Sequence, residues 1–192
     1  MKPKSFIALV LFALVLSGCK FTDYTTEEEI LVSKILKSQQ SIYKASTNEN
    51  SLISDEIYRA NHYYHDSHTQ EDILSLQLHV GNISLVGYGY NRFTLSDIEL
   101  DFDLDTLTQD YIYDYSGYIY DDYHDRYHFQ TTRPFVGNGH ENPYKGIMKV
   151  EGNTQNITVI VLDEQRVDIK VYDHYDSYHD KIIHTSWKEL GF

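Results

Sequence analysis

The sequence predicts a mainly β (α+β) protein, in which an N-terminal helix or helices precede an antiparallel β-meander sheet, half-barrel or sandwich. Three observations lead to this prediction. Apolar residues follow a helical period after about residue 26, and they alternate with polar residues from about Ile73 onwards. The connections between the alternating segments are too short for crossover helices, which favours antiparallel pairing. Among these architectures we favour a twisted meander with the first helix on its concave face.

The first helix is expected from Thr26 to about Ala45. Thr26 and Glu29 have the spacing of a capping box, and three consecutive glutamates would lie at the positive end of the helix dipole. A second helix is expected to begin at Ser54, a suitable cap before the segment DEIYRANHYY.

Roughly eight to ten strands are expected after the helical part. The runs ILSLQLHV and ISLVGYGY flank Gly81-Asn82, which predicts a hairpin with its turn at that dipeptide. From Ile98 to Asp105 apolar and acidic residues alternate, which indicates a strand with one buried and one acidic face. Pro134 is expected to end its strand or to place it at a sheet edge. Four further short strands follow in the last third of the chain.

The N-terminal residues have the features of an export signal. Lys2 and Lys4 precede an apolar run, Phe6 to Leu16, which is too short to span a bilayer. Leu16-Ser17-Gly18-Cys19 follows this run and resembles the lipobox of bacterial lipoproteins. The resemblance implies cleavage before Cys19 and attachment of lipid, including palmitate, to that residue.

The resemblance also implies a domain organisation and an address. Residues 1–18 would be the signal peptide, residues 19–25 a lipidated tether, and residues 26–192 a single domain. Several acyl chains would hold the protein to a membrane almost permanently. The residue after the cysteine is Lys20, whereas aspartate at this position favours retention in the inner membrane of Gram-negative bacteria. The resemblance therefore implies sorting to the outer membrane. Cys19 is the one cysteine of the chain, and the mature domain therefore has no disulfide.

Composition excludes some classes of partner and favours others. Without residues 1–18 the chain keeps 14 basic and 29 acidic side chains, a formal charge of −15. Such a surface repels phosphate backbones, so we expect no nucleic-acid partner and no membrane contact through a basic patch. The 18 tyrosines suit half-buried strands, and tyrosine is also common in surfaces that recognise carbohydrate or protein. An envelope protein or glycan is the expected partner.

The segment VYDHYDSYHDKIIHTSWKEL, residues 171–190, contains the candidate metal ligands. Imidazole and carboxylate suit zinc, copper or nickel, and the candidates are His174, Asp176, His179 and His184. Calcium is disfavoured because the acids do not alternate and the segment has no glycine. Two further histidine groups are less specific: residues 62, 65 and 68, which fit one helix only in part, and residues 124 and 128. No cofactor is assigned.

The C-terminal segment from Asn142 to Leu190 supplies a second resemblance. It contains Pro143-x-x-Gly146, a glycine turn at Gly152, an Asp-rich loop and a final Trp187-x-x-Leu190. This order resembles the C-terminal hairpins of small Gram-negative envelope lipoproteins, although their loop contains glycine and this one does not. The resemblance implies a fold and a location in the cell envelope, and it implies no activity.

The sequence leaves three functions open. The first is a membrane-anchored envelope lipoprotein with a non-catalytic binding or structural role. The second is a lipoprotein that binds a divalent metal through its His and Asp clusters. The third is a hydrolase of an envelope polymer, although the chain contains no nucleophile elbow, phosphate loop or zincin motif. We expect that the protein is not an enzyme.

Overall fold

The computed structural model describes residues 26–47, 57–66, 71–86, 92–120, 126–139 and 141–192. These residues form helix α1 (Glu27–Thr47), one 3₁₀ turn (Ser177–His179) and nine strands. The strands are β1 (Ile57–Asp66), β2 (Glu71–Val86), β3 (Arg92–Asp105), β4 (Asp110–Tyr120), β5 (Arg126–Asn138), β6 (Lys145–Glu151), β7 (Gln155–Val161), β8 (Arg166–Asp173) and β9 (Lys181–Ser186). The predicted signal peptide (1–18), Cys19 and the tether (19–25) lie outside the described residues.

The nine strands form one antiparallel sheet in the order β1-β2-β3-β4-β5-β6-β7-β8-β9. Every neighbour in the sheet is therefore also a neighbour in the chain, as in a meander, and the ladders of the described residues do not join β9 back to β1. The mainly β prediction, with a helix before an antiparallel meander, is confirmed.

None of the helices in the described part of the chain is both long and apolar enough to cross a bilayer.

Helix α1 begins where the capping box predicts. The Glu29 backbone N–H donates to Thr26 Oγ1 at 3.2 Å, and the Thr26 hydroxyl donates to Glu29 Oε2 at 3.2 Å. The buried apolar residues of the helix are Val32, Ile35, Leu36 and Ile42, which recur at the spacing of one helical face. That face packs against the sheet, and the helix and the sheet therefore share one hydrophobic core.

The core lies between α1 and the inward face of the sheet. Alternate residues of the strands are buried, as in β8, where Val167, Ile169 and Val171 are at most 3% exposed. Burial of each such side chain stabilises the fold by about 1.5–3 kcal/mol. Polar contacts fix the helix in place: Ser33 Oγ donates to the Leu190 carbonyl at 2.8 Å, and the hydroxyls of Ser38 and Tyr115 lie 2.7 Å apart.

A β-bulge interrupts the ladder between β3 and β4. Asp97 and Ile98 together oppose Gly117, because the register shifts between Ser96 and Glu99. Asp97 has φ +50°, a conformation that aspartate adopts more readily than most residues. A Cβ at residue 117 would meet the Ile98 side chain at 2.3 Å and the Asp97 carbonyl at 3.2 Å, so the bulge requires glycine there.

Two predictions before residue 92 are wrong. The segment expected as a second helix forms strand β1, which pairs with β2 along its whole length, and Ser54 itself lies outside the described residues. The hairpin expected at Gly81-Asn82 does not form, because β2 continues through both residues and pairs with β3 on either side of them. In both cases the partner strand is long enough to pair with the whole segment, and this pairing outweighs the local preference.

The expectation for Pro134 is also wrong. This proline lies inside β5, between β4 and β6, and neither ends the strand nor marks an edge. It is tolerated because the ladder to β6 shifts register between Arg133 and Val136, so an N–H is not needed there.

Candidate functional site

The most exposed aromatic side chains in the described residues lie on the connection between β8 and β9. We call residues 174–180 the tyrosine loop. Tyr175 is 82% exposed and Tyr178 is 94% exposed, while Tyr172 and Ile182 at the two ends of the loop are 47% and 54% exposed. These four side chains form the candidate binding surface.

The aspartates around the loop accept hydrogen bonds from its own backbone. Asp173 Oδ1 accepts from the N–H groups of Tyr175, at 2.8 Å, and Asp176, at 3.0 Å. Asp176 Oδ1 accepts from the N–H of Tyr178 at 2.9 Å and so caps the 3₁₀ turn. Asp180 Oδ1 accepts from the N–H of Asp173 at 3.0 Å. These hydrogen bonds stabilise the turns of the loop.

The electrostatics of Asp173 follow from these bonds. Hydrogen bonds from the backbone N–H groups of Tyr175 and Asp176 hold the pKa of Asp173 below its ordinary value. The neighbouring His179 and His174 act on this pKa in the same direction. Asp173 is therefore an ionised acceptor at neutral pH.

Two of the four predicted metal ligands lie close to each other, and the other two contact different residues. His179 Nδ1 lies 3.7 Å from Asp176 Oδ2 and 3.9 Å from Asp173 Oδ2. His184 Nδ1 lies 2.8 Å from Asp168 Oδ1, directly across the β8–β9 ladder. His174 Nδ1 lies 3.2 Å from the Asn153 carbonyl. The structure thus brings Asp176 and His179 together, whereas His174 and His184 contact other residues.

Among the described residues, no group of three or more His, Cys, Asp or Glu side chains is arranged to hold a metal ion. The metal site at these four residues stays a prediction. In the two less specific histidine groups, His62 and His65 belong to strand β1, whereas His68 and His124 lie outside the described residues. His128 Nδ1 lies 3.8 Å from Glu151 Oε2.

A cleft of about 370 Å³ separates the tyrosine loop from the first turn of α1. Its lining includes Glu28 of the helix and the side chains of Tyr178, His179, Asp180 and Lys181. Lys181 Nζ lies 3.0 Å from Glu28 Oε1, and this ion pair connects the start of α1 to the start of β9. No sequence pattern indicates this pair, because its members are far apart in the chain and only the sheet order brings them together.

Two carboxylates that line the cleft, Glu28 and Asp173, have pKa values below the ordinary value. Burial raises the pKa of Glu28, but hydrogen bonds from its own backbone N–H and from Lys181 outweigh burial, and its pKa lies below the ordinary value. The pKa of Asp173 is also lowered, by the hydrogen bonds from the loop backbone. Hydrolysis of a glycosidic bond needs one carboxyl group whose pKa is raised, so that it can donate a proton near neutral pH. Glu28 and Asp173 are shifted in the opposite direction.

The outer face of the sheet has a separate concentration of charge. Asp101 on β3 pairs directly with Asp114 on β4, and Glu99 and Asp103 flank Asp101 on the same face. Burial, followed by the charges of Asp114, Glu99 and Asp103, raises the pKa of Asp101. The sequence predicted an acidic face on β3, but the opposition of Asp114 depends on register and could not be predicted.

Fold and site together define a helix-packed antiparallel meander that displays the tyrosine loop at one end of its sheet. Comparison with known proteins finds no match to a family model, a curated protein or a solved structure. The two resemblances seen in the sequence therefore stay predictions.

Proposed function

We propose that this protein is a lipoprotein of the bacterial envelope, anchored in the outer membrane by lipid on Cys19, with a non-catalytic binding role. The binding element is the tyrosine loop, together with Tyr172 and Ile182 at its ends. Residues 1–18 are removed, residues 19–25 form the tether, and residues 26–192 form the domain.

The observation that supports the binding role is the exposure of Tyr175 and Tyr178 on a loop whose backbone N–H groups donate to aspartate carboxylates. An exposed ring on a rigid backbone supplies contact area with little loss of conformational entropy on binding. Tyrosine also combines an apolar ring with a polar hydroxyl, which suits a boundary between wet and apolar surroundings. These properties support a contact surface better than they support a reaction centre.

The non-catalytic part of the proposal is supported by the occupation of the carboxylates. Asp173, Asp176 and Asp180 accept hydrogen bonds from the loop backbone, and Glu28 is paired with Lys181. A hydrolase of an envelope polymer would need two of these groups in different protonation states across the cleft. The contacts of these four carboxylates do not favour that arrangement.

Lipid attachment is tested by growth with labelled palmitate. The wild-type protein is expected to incorporate label and to be cleaved before residue 19, whereas the Cys19→Ser variant is expected to remain unlabelled and unprocessed. An unlabelled wild-type protein, or a Cys19→Ser variant that is processed and located like the wild type, contradicts the proposal.

The binding role is tested by a photoreactive phenylalanine placed at Tyr178 in native envelopes. The matched control carries the same group at Tyr144, which is also exposed and lies in the β5–β6 connection at the opposite end of the sheet. Adducts of lipid, protein or glycan at residue 178, and not at residue 144, support the proposal. Equal labelling at both positions, or none at residue 178, contradicts it.

A divalent-metal site is the second candidate, because His179 lies within 4 Å of both Asp173 and Asp176. A bound ion would have to compete with the backbone N–H groups for these carboxylates. Metal analysis of protein purified without a histidine tag tests this site, with Asp176→Asn as the variant and Asp163→Asn, in the β7–β8 turn, as the control. A stoichiometric ion that is lost in Asp176→Asn and kept in Asp163→Asn supports the metal site. Wild-type protein that contains no metal contradicts this candidate function.

A further inference from the structure

The start of α1 and the tyrosine loop lie at the same end of the sheet. Glu28, in the first turn of α1, is 3.0 Å from Lys181, the first residue of β9, and both line the cleft with Tyr178. Farther along the helix, Ser33 contacts Leu190, which follows β9 at the other end of the sheet. The helix therefore runs away from the tyrosine loop, and the chain enters the domain beside that loop.

The number of residues between Cys19 and α1 limits how far the lipid can lie from this entry point. Cys19 and Thr26 are seven residues apart, so the chain between them spans at most about 25 Å. A compact domain of this size is about 40 Å across, which exceeds the reach of the tether. If Cys19 is lipidated, as proposed above, the end of the sheet with the tyrosine loop is held nearest to the membrane.

The side chains presented at that end suit a lipid headgroup region. Tyrosine is enriched at membrane interfaces, where its amphipathic ring lies at the level of the headgroups and its hydroxyl meets water. Tyr175 and Tyr178 are almost fully exposed, and Tyr172 and Ile182 extend the surface at its base. The formal charge of −15 in the mature chain repels anionic headgroups, so zwitterionic lipid is the matching partner.

We propose that the tyrosine loop is a second membrane contact, inserted among the headgroups of zwitterionic lipid beside the anchored Cys19. This inference rests on the proposed function and names the partner of its binding element. Two attachment points fix the orientation of the domain, with the β7–β8 turn directed away from the bilayer. Strand β8 has eight residues, which separates that turn from the tyrosine loop by about 25 Å.

Spin labels at two positions test the contact in the full, lipidated protein reconstituted into phosphatidylcholine–phosphatidylethanolamine vesicles. One label is placed by Ser177→Cys, in the tyrosine loop, and the matched control by Glu164→Cys, an exposed residue in the β7–β8 turn. Lipidated Cys19 does not react with the label. The label at residue 177 is expected to lose most of its collisions with a water-soluble nickel complex and to gain collisions with oxygen, while the label at residue 164 keeps its aqueous values.

A second pair of variants separates insertion of the rings from mere proximity to the membrane. In the Ser177→Cys background, Tyr175→Ser combined with Tyr178→Ser is expected to return the label to aqueous accessibility, while Tyr144→Ser has no effect. If the label at residue 177 is still protected from the nickel complex after both tyrosines are replaced, the proposal is overturned, because the tether alone would then explain the protection. Replacing part of the zwitterionic lipid with phosphatidylglycerol is expected to reduce the protection, and protection that increases instead contradicts the partner assigned here.

Flotation of the same vesicles distinguishes failure of the loop contact from failure of the anchor. Protein that floats with the vesicles but has an aqueous label at residue 177 leaves the anchor intact and overturns the loop contact. Protein that does not float, and is not labelled by palmitate, overturns the proposed anchor itself. Protection at residue 177 in native envelopes but not in vesicles assigns the loop to an envelope protein or glycan and also overturns the inference.

Discussion

The contact between Ser38 of α1 and Tyr115 of β4 offers a quantitative test of how the helix is held on the sheet. Both residues are buried, each 1% exposed, and their hydroxyl oxygens are 2.7 Å apart. The Ser38 hydroxyl also donates to the Ile35 carbonyl at 2.6 Å. Because a serine hydroxyl has one proton, Tyr115 is the donor in the contact with Ser38.

The cost of breaking the contact depends on which partner is removed. Tyr115→Phe removes one hydrogen bond, and we expect a loss of about 1 kcal/mol in the free energy of unfolding. Ser38→Ala leaves the tyrosine hydroxyl buried without an acceptor, which costs about 1–3 kcal/mol, and the better helix propensity of alanine returns about 0.5 kcal/mol. The double variant leaves neither group unpaired, so its loss should be smaller than the sum of the single losses by about 1 kcal/mol or more.

Urea titration measures these free energies, with the fluorescence of Trp187 as the probe, because this single tryptophan is 2% exposed in the folded protein. Tyr113→Phe is the matched control, since this buried tyrosine also lies on β4, whereas the hydrogen bonds of Ser38 are to Ile35 and Tyr115. Losses that add within about 0.3 kcal/mol in the double variant would refute the hydrogen bond between Ser38 and Tyr115. Coupling of similar size between Ser38 and Tyr113 would refute its specificity.

Three further predictions concern the bulge, the ion pair and the acidic face. Gly117→Ala is expected to lower the melting temperature by several degrees, because residue 117 has φ +151° and an added Cβ would overlap Ile98. Gly139→Ala has open space around the added Cβ and should lower the melting temperature less. Equal losses in the two variants would contradict the bulge geometry. Glu28→Gln should destabilise by up to about 0.5 kcal/mol at pH 7, because the ion pair is partly exposed. Because the pKa of Glu28 is lowered in the folded protein, the difference in free energy of unfolding between wild type and Glu28→Gln should be present above the unfolded pKa of about 4.3. It should disappear as the pH falls through the folded pKa, and a difference that persists in acid would contradict the ion pair. Asp101→Asn should stabilise by a few tenths of a kcal/mol at low salt and by less at high salt, and thermal melts in both buffers check this.

The sequence predicted those elements whose signals are local. The Thr26–Glu29 capping box located the start of α1 within one residue, and the alternation from Ile98 to Asp105 predicted β3. The four short strands predicted in the last third of the chain correspond to β6 to β9. These signals act over three or four residues and do not depend on a partner strand. The order of the sheet followed because short turns allow adjacent antiparallel pairing and little else.

The wrong predictions fall where a partner strand decides the outcome. Gly81-Asn82 has turn propensity, but β3 has 14 residues and pairs with both of the flanking runs. The segment after Ser54 has mixed propensity and becomes β1 because β2 offers it a ten-residue ladder. Pro134 is accommodated by register shifts in the β5–β6 ladder, and no residue type in the sequence predicts these shifts. Register and strand length are tertiary quantities, and neither can be read from one segment alone.

The candidate site shows the same division between local and tertiary information. The composition of residues 171–190 predicted candidate metal ligands in this segment, and the structure adds that Asp173 and Asp176 accept hydrogen bonds from the loop backbone. Asp173 lies two and three residues before the residues whose N–H groups donate to it, and Asp176 lies two residues before Tyr178. This spacing is typical of Asx turns, and the spacing alone could have assigned both aspartates to the loop backbone.

The proposed lipid contact also depends on the tether. Two exposed tyrosines supply an interaction too weak to hold a free domain on a zwitterionic bilayer, because association would cost several kcal/mol of translational and rotational freedom. A tether of seven residues makes the contact intramolecular, with an effective concentration in the millimolar range. Absence of vesicle binding by unlipidated protein that begins at residue 20, and so lacks both the apolar signal segment and Cys19, is therefore expected, whereas strong binding would mean that the loop, and not the lipid, is the main anchor.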